Sequence, residues 1–321
     1  MKPAVSRRLF LLLVDYFAWF IFKLTGILSR FLPPSLLQAL FRLIGTAVFY
    51  CRPAMRRDLM HKISDAMPGI NDQREVARIG RQACVSATKP MLDLLIFGRH
   101  REEYMRGLHI EGWDNIESAD REGRGVLLLF IHIGAYGTSP IVLTSLDKPF
   151  TPVMFHPEAL PVPRSAAAVD DYALSLGCDP ISPMFWAGDD TIARVRKSLD
   201  AGRRVGFALD VDGNYVVDFL GRPAALAEGI AHFACDTGAP IVPFSLLYGR
   251  SALEHRLRFY EPLSLTISGD RGRDVEAIMR KAVEVAESMI EEAPGQWMSW
   301  FGLWHWWSRA EEIKALHSGE D

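Results

Sequence analysis

The chain has 321 residues, 49% of them hydrophobic and 23% charged, with a formal net charge of −3. This composition excludes a disordered chain and gives no global basic signal for nucleic acid. The length suffices for a sizeable core, either one large α/β domain or two smaller ones. The four cysteines (Cys51, Cys84, Cys178, Cys235) form no CxxC pair and no Cys/His ligand spacing. Reduced, buried thiols and no metal site are therefore expected.

Residues 7–32, "RRLFLLLVDYFAWFIFKLTGILSRFL", open with two arginines and are strongly apolar. Four readings compete here. A cleaved signal peptide lacks its small-residue cleavage site. A transmembrane helix of roughly 20 residues fits the length, but Asp15 and Lys23 would each cost roughly 2.5–3.5 kcal/mol at mid-bilayer. An interfacial helix puts Phe, Trp and Leu among acyl chains, with Arg7, Arg8, Lys23 and Arg30 at the headgroups. A core-packed helix is the fourth. A second apolar helix follows Pro33-Pro34-Ser35. Next comes a cationic segment with Arg52, Arg56, Arg57 and Lys62, read either as a solvated face or as a surface that meets anionic headgroups or an acidic carrier protein. Residues 1–50 thus read as apolar, membrane-associating helices, and helical periodicity continues to about residue 106.

Beyond that point strands alternate with helices. "GLHIEGWDNI" reads as a short strand and a turn. "GVLLLFIH" is a continuous apolar run, as in a central parallel strand covered on both faces. Helix, strand, two helices, strand, helix and two strands follow, and the long amphipathic "RDVEAIMRKAVEVAESMIEEAPG" closes the series. The fold expected is α/β, an open, mostly parallel sheet flanked by helices and preceded by the apolar helical segment. It spans residues 51–307, and a polar tail occupies 308–321.

Rossmann, P-loop, GxSxG and HExxH signatures are absent. In open α/β sheets, functional groups sit beyond the carboxyl ends of strands. That rule selects His132 after "GVLLLFI", His156 after "TPVM", Asp210 and Asp212 after "RVGFAL", and Ser245 on "PIVPF". His132 is the leading base, with a satisfied structural histidine as the plain alternative. Gly134 and Gly137 leave room for a substrate, and the following helix offers N–H groups to developing negative charge.

With these blocks in order, the sequence resembles the bacterial lipid A late acyltransferases (lauroyl/myristoyl type) of the wider lysophospholipid acyltransferase superfamily. The resemblance rests on "RRDLMHKISDAMPGINDQREVARIGRQ", "GRGVLLLFIHIGAYG", "GRRVGFALDVDG" with the segment to "GAPIVPFSLLY", and "EEAPGQWMSWFGLWHWW". It implies a glycerolipid-acyltransferase-like fold and transfer of an acyl chain from acyl-ACP or acyl-CoA, with no metal or redox cofactor. The setting it implies is the cytoplasmic face of the bacterial inner membrane, peripheral or singly anchored. The family's catalytic motif is H-x4-D/E. His132 matches the histidine, but Gly137 stands where the carboxylate belongs. Arginines expected on the helix after the second strand are replaced by Asp170 and Asp171, with Arg164 the nearest.

The orienting carboxylate is therefore sought elsewhere. Asp210 and Asp212, at i and i+2 on an extended segment, both point toward the His132 pocket, or else cap a polar turn. Glu228 begins a helix and either reaches the pocket or serves the helix dipole. Tyr136 is a hydrogen-bond donor there, and Arg222 a candidate for a donor phosphate. The five C-terminal tryptophans (Trp297, Trp300, Trp304, Trp306, Trp307) form either an interfacial or acyl-tunnel wall or a core. The expected function is acyl transfer to a hydroxyl or amine, with His132 as general base and backbone N–H groups from Gly134 to Gly137 plus a nearby cation on the oxyanion. The acceptor expected is not standard lipid A but a carrier-tethered or specialised-metabolite intermediate. The alternatives are a catalytically lapsed acyl-chain or carrier-protein binder and a thioesterase.

Overall fold

The structure, a computed structural model, describes residues 3–154, 162–177, 184–185 and 189–318. The helical lead-in comprises α1 (Pro3–Leu28), α2 (Pro34–Cys51), α3 (Pro53–Ala66), α4 (Gln73–Ser86), α5 (Pro90–Arg99) and α6 (Arg101–Arg106). Then come β1 (Leu108–Glu111), α7 (Trp113–Arg121), β2 (Val126–Phe130), α8 (Ser139–Ser145), β3 (Phe150–Met154), α9 (Pro163–Ser175), β4 (Met184–Phe185) and α10 (Asp189–Asp200). The chain continues through β5 (Arg204–Ala208), β6 (Asp212–Phe219), β7 (Arg222–Leu226), α11 (Gly229–Thr237), β8 (Ile241–Tyr248), β9 (His255–Phe259), α12 (Arg271–Glu292) and α13 (Leu303–Ser318).

Seven strands form one sheet in the order β1-β9-β8-β2-β5-β3-β4. All its pairings are parallel except β8 with β9. The apolar strand β2 sits at the centre because both its faces are covered. Leu127 and Leu129 face a core shared with α4, α10, α11 and α12. Val126 and Leu128 face the opposite core, shared with α5, α7 and α8. This is the expected α/β sheet flanked by helices.

Three local expectations change. "GWDNI" is not a turn but the start of α7, entered through Gly112 at φ 66°. The polar "DVDG" segment opens a β6–β7 hairpin rather than closing as a turn. Its two-residue loop is Leu220-Gly221, both at positive φ (54° and 76°), the geometry of a tight hairpin turn. Leu220 is held there by burial and by its N–H, which donates to Glu287 Oε1 at 2.6 Å. Residue 308, where a polar tail is expected to begin, lies inside α13. There Ala310 is fully buried and Arg309 donates to Asn214 Oδ1 at 2.8 Å.

The apolar α1 and α2 pack on the domain. Asp15, 3% exposed, accepts the backbone N–H groups of Arg164 (3.1 Å) and Ser165 (2.9 Å) at the start of α9. Phe22 meets Tyr172 of α9 edge-on, and Ser29 Oγ accepts from Arg99 Nε at 3.1 Å. The outward faces keep Leu12, Leu13, Phe17, Phe20, Leu24, Leu40 and Leu43 exposed. In the cationic segment, Lys62 is buried and bonds Asp58 and the Phe301 carbonyl, so it is neither solvated nor free for headgroups.

One backbone position fixes the turn after β2. Gly134 has φ 60°, and a Cβ there would stand 2.2 Å from the Leu246 carbonyl oxygen of β8. Gly134→Ala is expected to destabilise the protein by at least roughly 1–3 kcal/mol, read from urea unfolding in detergent. An unchanged midpoint would contradict this account of the turn.

Candidate active site

His132 and Asp210 meet because of strand register. β2 and β5 run in parallel with Phe130 beside Ala208. The pairing extends one step, as Leu209 N–H donates to the Phe130 carbonyl at 2.9 Å. The next residue on each chain past that step is part of the site. His132 Nδ1 lies 2.8 Å from Asp210 Oδ1, and the His132 backbone N–H lies 3.0 Å from both carboxylate oxygens.

The third component is the C-terminal segment. Ile133 bridges Trp297, Met298 N–H donates to the His132 carbonyl at 2.9 Å, and Gly134 N–H to the Gln296 carbonyl at 3.1 Å. Gln296 is itself clamped to the end of β8. Its Oε1 accepts Tyr248 N–H at 2.8 Å, and its Nε2 donates to the Tyr248 carbonyl at 3.0 Å. This places Trp297 Nε1 2.9 Å and Ser299 Oγ 2.7 Å from Asp210 Oδ2.

Protonation follows from this arrangement. A carboxylate only accepts, so Nδ1 carries the proton and Nε2 keeps its lone pair. The Asp210 side chain is 1% exposed whereas the His132 side chain is 24% exposed. Nε2 has no partner among the described residues. Burial by itself lowers the His132 pKa, but the Asp210 charge and its hydrogen bonds outweigh that and leave it above the ordinary 6.5. Tyr136 packs edge-on against the imidazole at 4.7 Å between centroids, and its hydroxyl donates to Met298 Sδ at 3.5 Å. Burial, then the Asp210 charge, raises the Tyr136 phenol pKa well above its usual value.

Of the residues expected at the site, the structure brings together His132, Asp210, Gly134, Tyr136 and Gly137. Asp212 turns away and accepts Trp306 Nε1 at 2.7 Å, with His305 Nε2 at 3.5 Å. The i, i+2 argument fails because the chain bends between Leu209 and β6 instead of staying extended. Glu228 is the N-cap residue of α11. Its carbonyl accepts the Ala231 and His232 N–H groups, its side chain makes no hydrogen bond or ion pair among the described residues, and its charge acts on Tyr215. Ser245 lies buried within β8, 3.4 Å from Tyr260 Oη, rather than at the pocket. Arg222 is tied to Asp65 at 3.1 Å and lies over the rings of Trp304 and Trp307, away from His132. His156 falls outside the described residues. Two of the N–H groups expected on the oxyanion are already bonded, Gly134 as above and Ala135 to the Leu246 carbonyl at 2.7 Å. Those of Tyr136 and Gly137 have no acceptor among the described residues.

Gly137 is exposed, and a Cβ there would meet only Pro90, at 3.9 Å. The H-x4-D/E position is therefore vacant but roomy, and Asp210 occupies the Nδ1 side from a neighbouring strand. Trp297 and Ser299 are the site residues that sequence reasoning missed. Their only sequence signal is the dense "GQWMSW" run. All five tryptophans in this region donate their indole N–H: Trp297 as above, Trp300 to Pro294 O, Trp304 to Asp58, Trp306 to Asp212 and Trp307 to Phe219 O. They form a hydrogen-bonded core block behind the dyad.

The bacterial lipid A biosynthesis acyltransferase family matches residues 6–305. The chain belongs to that family. Among solved structures it is similar to the 1-acyl-sn-glycerophosphate (LPA) acyltransferase PlsC from Thermotoga maritima. The two are 15% identical, with a TM-score of 0.37, over 82% of this chain and 97% of that one. No curated protein matches the chain.

The geometry makes Asp210→Asn diagnostic. Transfer is expected to fall by about 10²–10⁴ in kcat/KM. A neutral-imidazole base makes kcat/KM rise with pH through the His132 pKa, which lies above 6.5. Removing the Asp210 charge moves that limb to lower pH. A pH profile that does not move in the variant would show that Asp210 does not act on the base.

Proposed function

We propose that this protein transfers an acyl chain from a carrier thioester, acyl-ACP or acyl-CoA, to a hydroxyl or amine of a lipid-like or carrier-tethered acceptor. One observation carries this reading: a partly exposed imidazole with Nδ1 fixed by a buried carboxylate and Nε2 unpaired among the described residues. Nε2 takes the proton of the acceptor O–H or N–H as that atom attacks the thioester carbonyl. The tetrahedral intermediate collapses, the C–S bond breaks, and the thiolate recovers the proton from Nε2. The products are an ester or amide and the free thiol, with no metal or redox partner required. The Tyr136 and Gly137 N–H groups, unpaired among the described residues, are donors available to the oxyanion.

A missing acid at Gly137 favours a lapsed acyl-binding protein only if nothing else orients the imidazole. Asp210 on Nδ1 supports the catalytic reading instead. The acceptor reading rests on α9. Arg164 is engaged by α1, its guanidinium 4.2 Å from the Tyr16 ring centroid, and farther along the helix stand Asp170 and Asp171. Such a face does not favour a phosphorylated glycolipid, which supports an acceptor other than standard lipid A.

The decisive assay supplies an acyl-ACP panel and candidate hydroxyl and amine acceptors, and follows thioester loss and product mass. Acceptor-dependent loss that vanishes in His132→Ala is expected. Acceptor-independent loss would make the protein a thioesterase, and binding without turnover would make it a carrier.

The exposed apolar faces of α1 and α2 fit a membrane surface on the cytoplasmic side. A spanning α1 would have to draw α9, capped by Asp15 and carrying Arg164, Asp170 and Asp171, into the bilayer, which is costly. An in-plane helix keeps those bonds. With the native cysteines replaced by serine, a Ser6→Cys chain in intact spheroplasts is expected to resist a membrane-impermeant maleimide and to react after lysis. Labelling before lysis would mean that α1 crosses.

A further inference from the structure

A second buried polar cluster lies behind the turn that carries Tyr136. Its hub is Asp93 of α5, 4% exposed. Asp93 Oδ2 accepts from Tyr104 Oη at 3.0 Å and from Thr138 Oγ1 at 2.6 Å, and Oδ1 lies 2.9 Å from His255 Nε2. Tyr104 stacks on His255 with centroids 4.0 Å apart. His255 Nδ1 and Tyr248 Oη are buried with no hydrogen-bond partner among the described residues, and the Lys89 ammonium lies 4.5 Å from the Tyr248 ring centroid. The cluster is thus held together through the Asp93 carboxylate.

A buried carboxylate carries a large desolvation cost, and an apolar filling of the same volume would fasten α5 to the sheet without it. What apolar packing would not supply is a directional bond to Thr138. That residue is fully buried and closes the short turn Tyr136–Thr138. Tyr136, two residues before it, is the ring set edge-on against His132. Pro90, at the start of the same helix, flanks Gly137. The path from Asp93 to the imidazole is therefore one hydrogen bond, one tight turn and one ring contact.

We propose that Asp93, acting through Thr138, is a positioning residue for the transfer reaction: it sets the Tyr136 turn that seats the His132 ring. The proposal rests on the acyl-transfer reading, so its test includes a measurement that needs no turnover. Thr138→Val removes the hydroxyl at nearly constant volume, and Thr138→Ser retains it. In Thr138→Val, kcat is expected to fall roughly tenfold or more with KM unchanged, since small misplacements of catalytic groups carry penalties of this order. Thr138→Ser is expected to restore it. The NMR cross-peak of the His132 ring is expected to move in Thr138→Val and in Asp93→Asn, and to stay at its wild-type position in Thr138→Ser. Should Asp93→Asn fail to fold, the two Thr138 variants still decide.

A wild-type kcat in Thr138→Val would overturn the proposal. So would a loss that merely tracks the folded fraction by circular dichroism, or an unmoved His132 resonance. If the wild-type protein transfers no acyl group, the acyl-transfer reading fails by itself, and the His132 resonance still shows whether Asp93 and Thr138 seat the ring.

Discussion

Burying a carboxylate is tolerable only when its oxygens are met by donors, and in this protein Asp210 imposes that condition on two distant parts of the chain. Its donors are the backbone and ring of His132 beyond β2, the indole of Trp297 and the hydroxyl of Ser299. Asp210 itself stands beyond β5. Satisfying one charge therefore closes the C-terminal segment over the carboxyl edge of the sheet and fixes the tautomer of the partly exposed His132 imidazole. The same bonds serve stability and chemistry, because loosening any of them both exposes an unmet buried charge and frees the ring.

The arrangement separates two tasks that the H-x4-D/E motif combines. In that motif the carboxylate stands five residues after the histidine, on the turn that follows the central strand. Here the acid has moved to a neighbouring strand, and the turn keeps a glycine at an open position. The turn is then held from behind by Thr138 and Asp93 and from the side by Leu246 and Gln296. The turn beside His132 is left uncharged at Gly137.

Much of this was legible in the sequence because it follows from periodicity and the strand-end rule. The apolar "VLLLF" run fixes the central strand, and any residue just past it is placed at the functional edge. His132 and Asp210 were reachable by that logic. Asp212 was misplaced because the extended-chain parity assumed for it ends at the bend before β6. The hairpin itself was hidden because Leu220-Gly221 lacks the Asn-Gly or Asp-Gly signature of tight turns, its strain being met by tertiary contacts that no local pattern records. Trp297 and Ser299 were unreachable for a related reason. Nothing local in "GQWMSW" says that its donors meet an acid 87 and 89 positions upstream. Asp15 shows the reverse case, a charge that looked like an obstacle inside an apolar helix and is in fact the cap of another one.

The position of those two donors also sets an order of events during synthesis. Chains emerge from the amino end, so the apolar helices and the sheet strands that bear His132 and Asp210 are made well before residues 297 and 299. Until that last stretch arrives, Asp210 lacks half of its partners and the imidazole has no clamp on its carbonyl. The carboxylate and the imidazole are thus made in an incomplete form, and their arrangement closes only once residues 297–299 have been added.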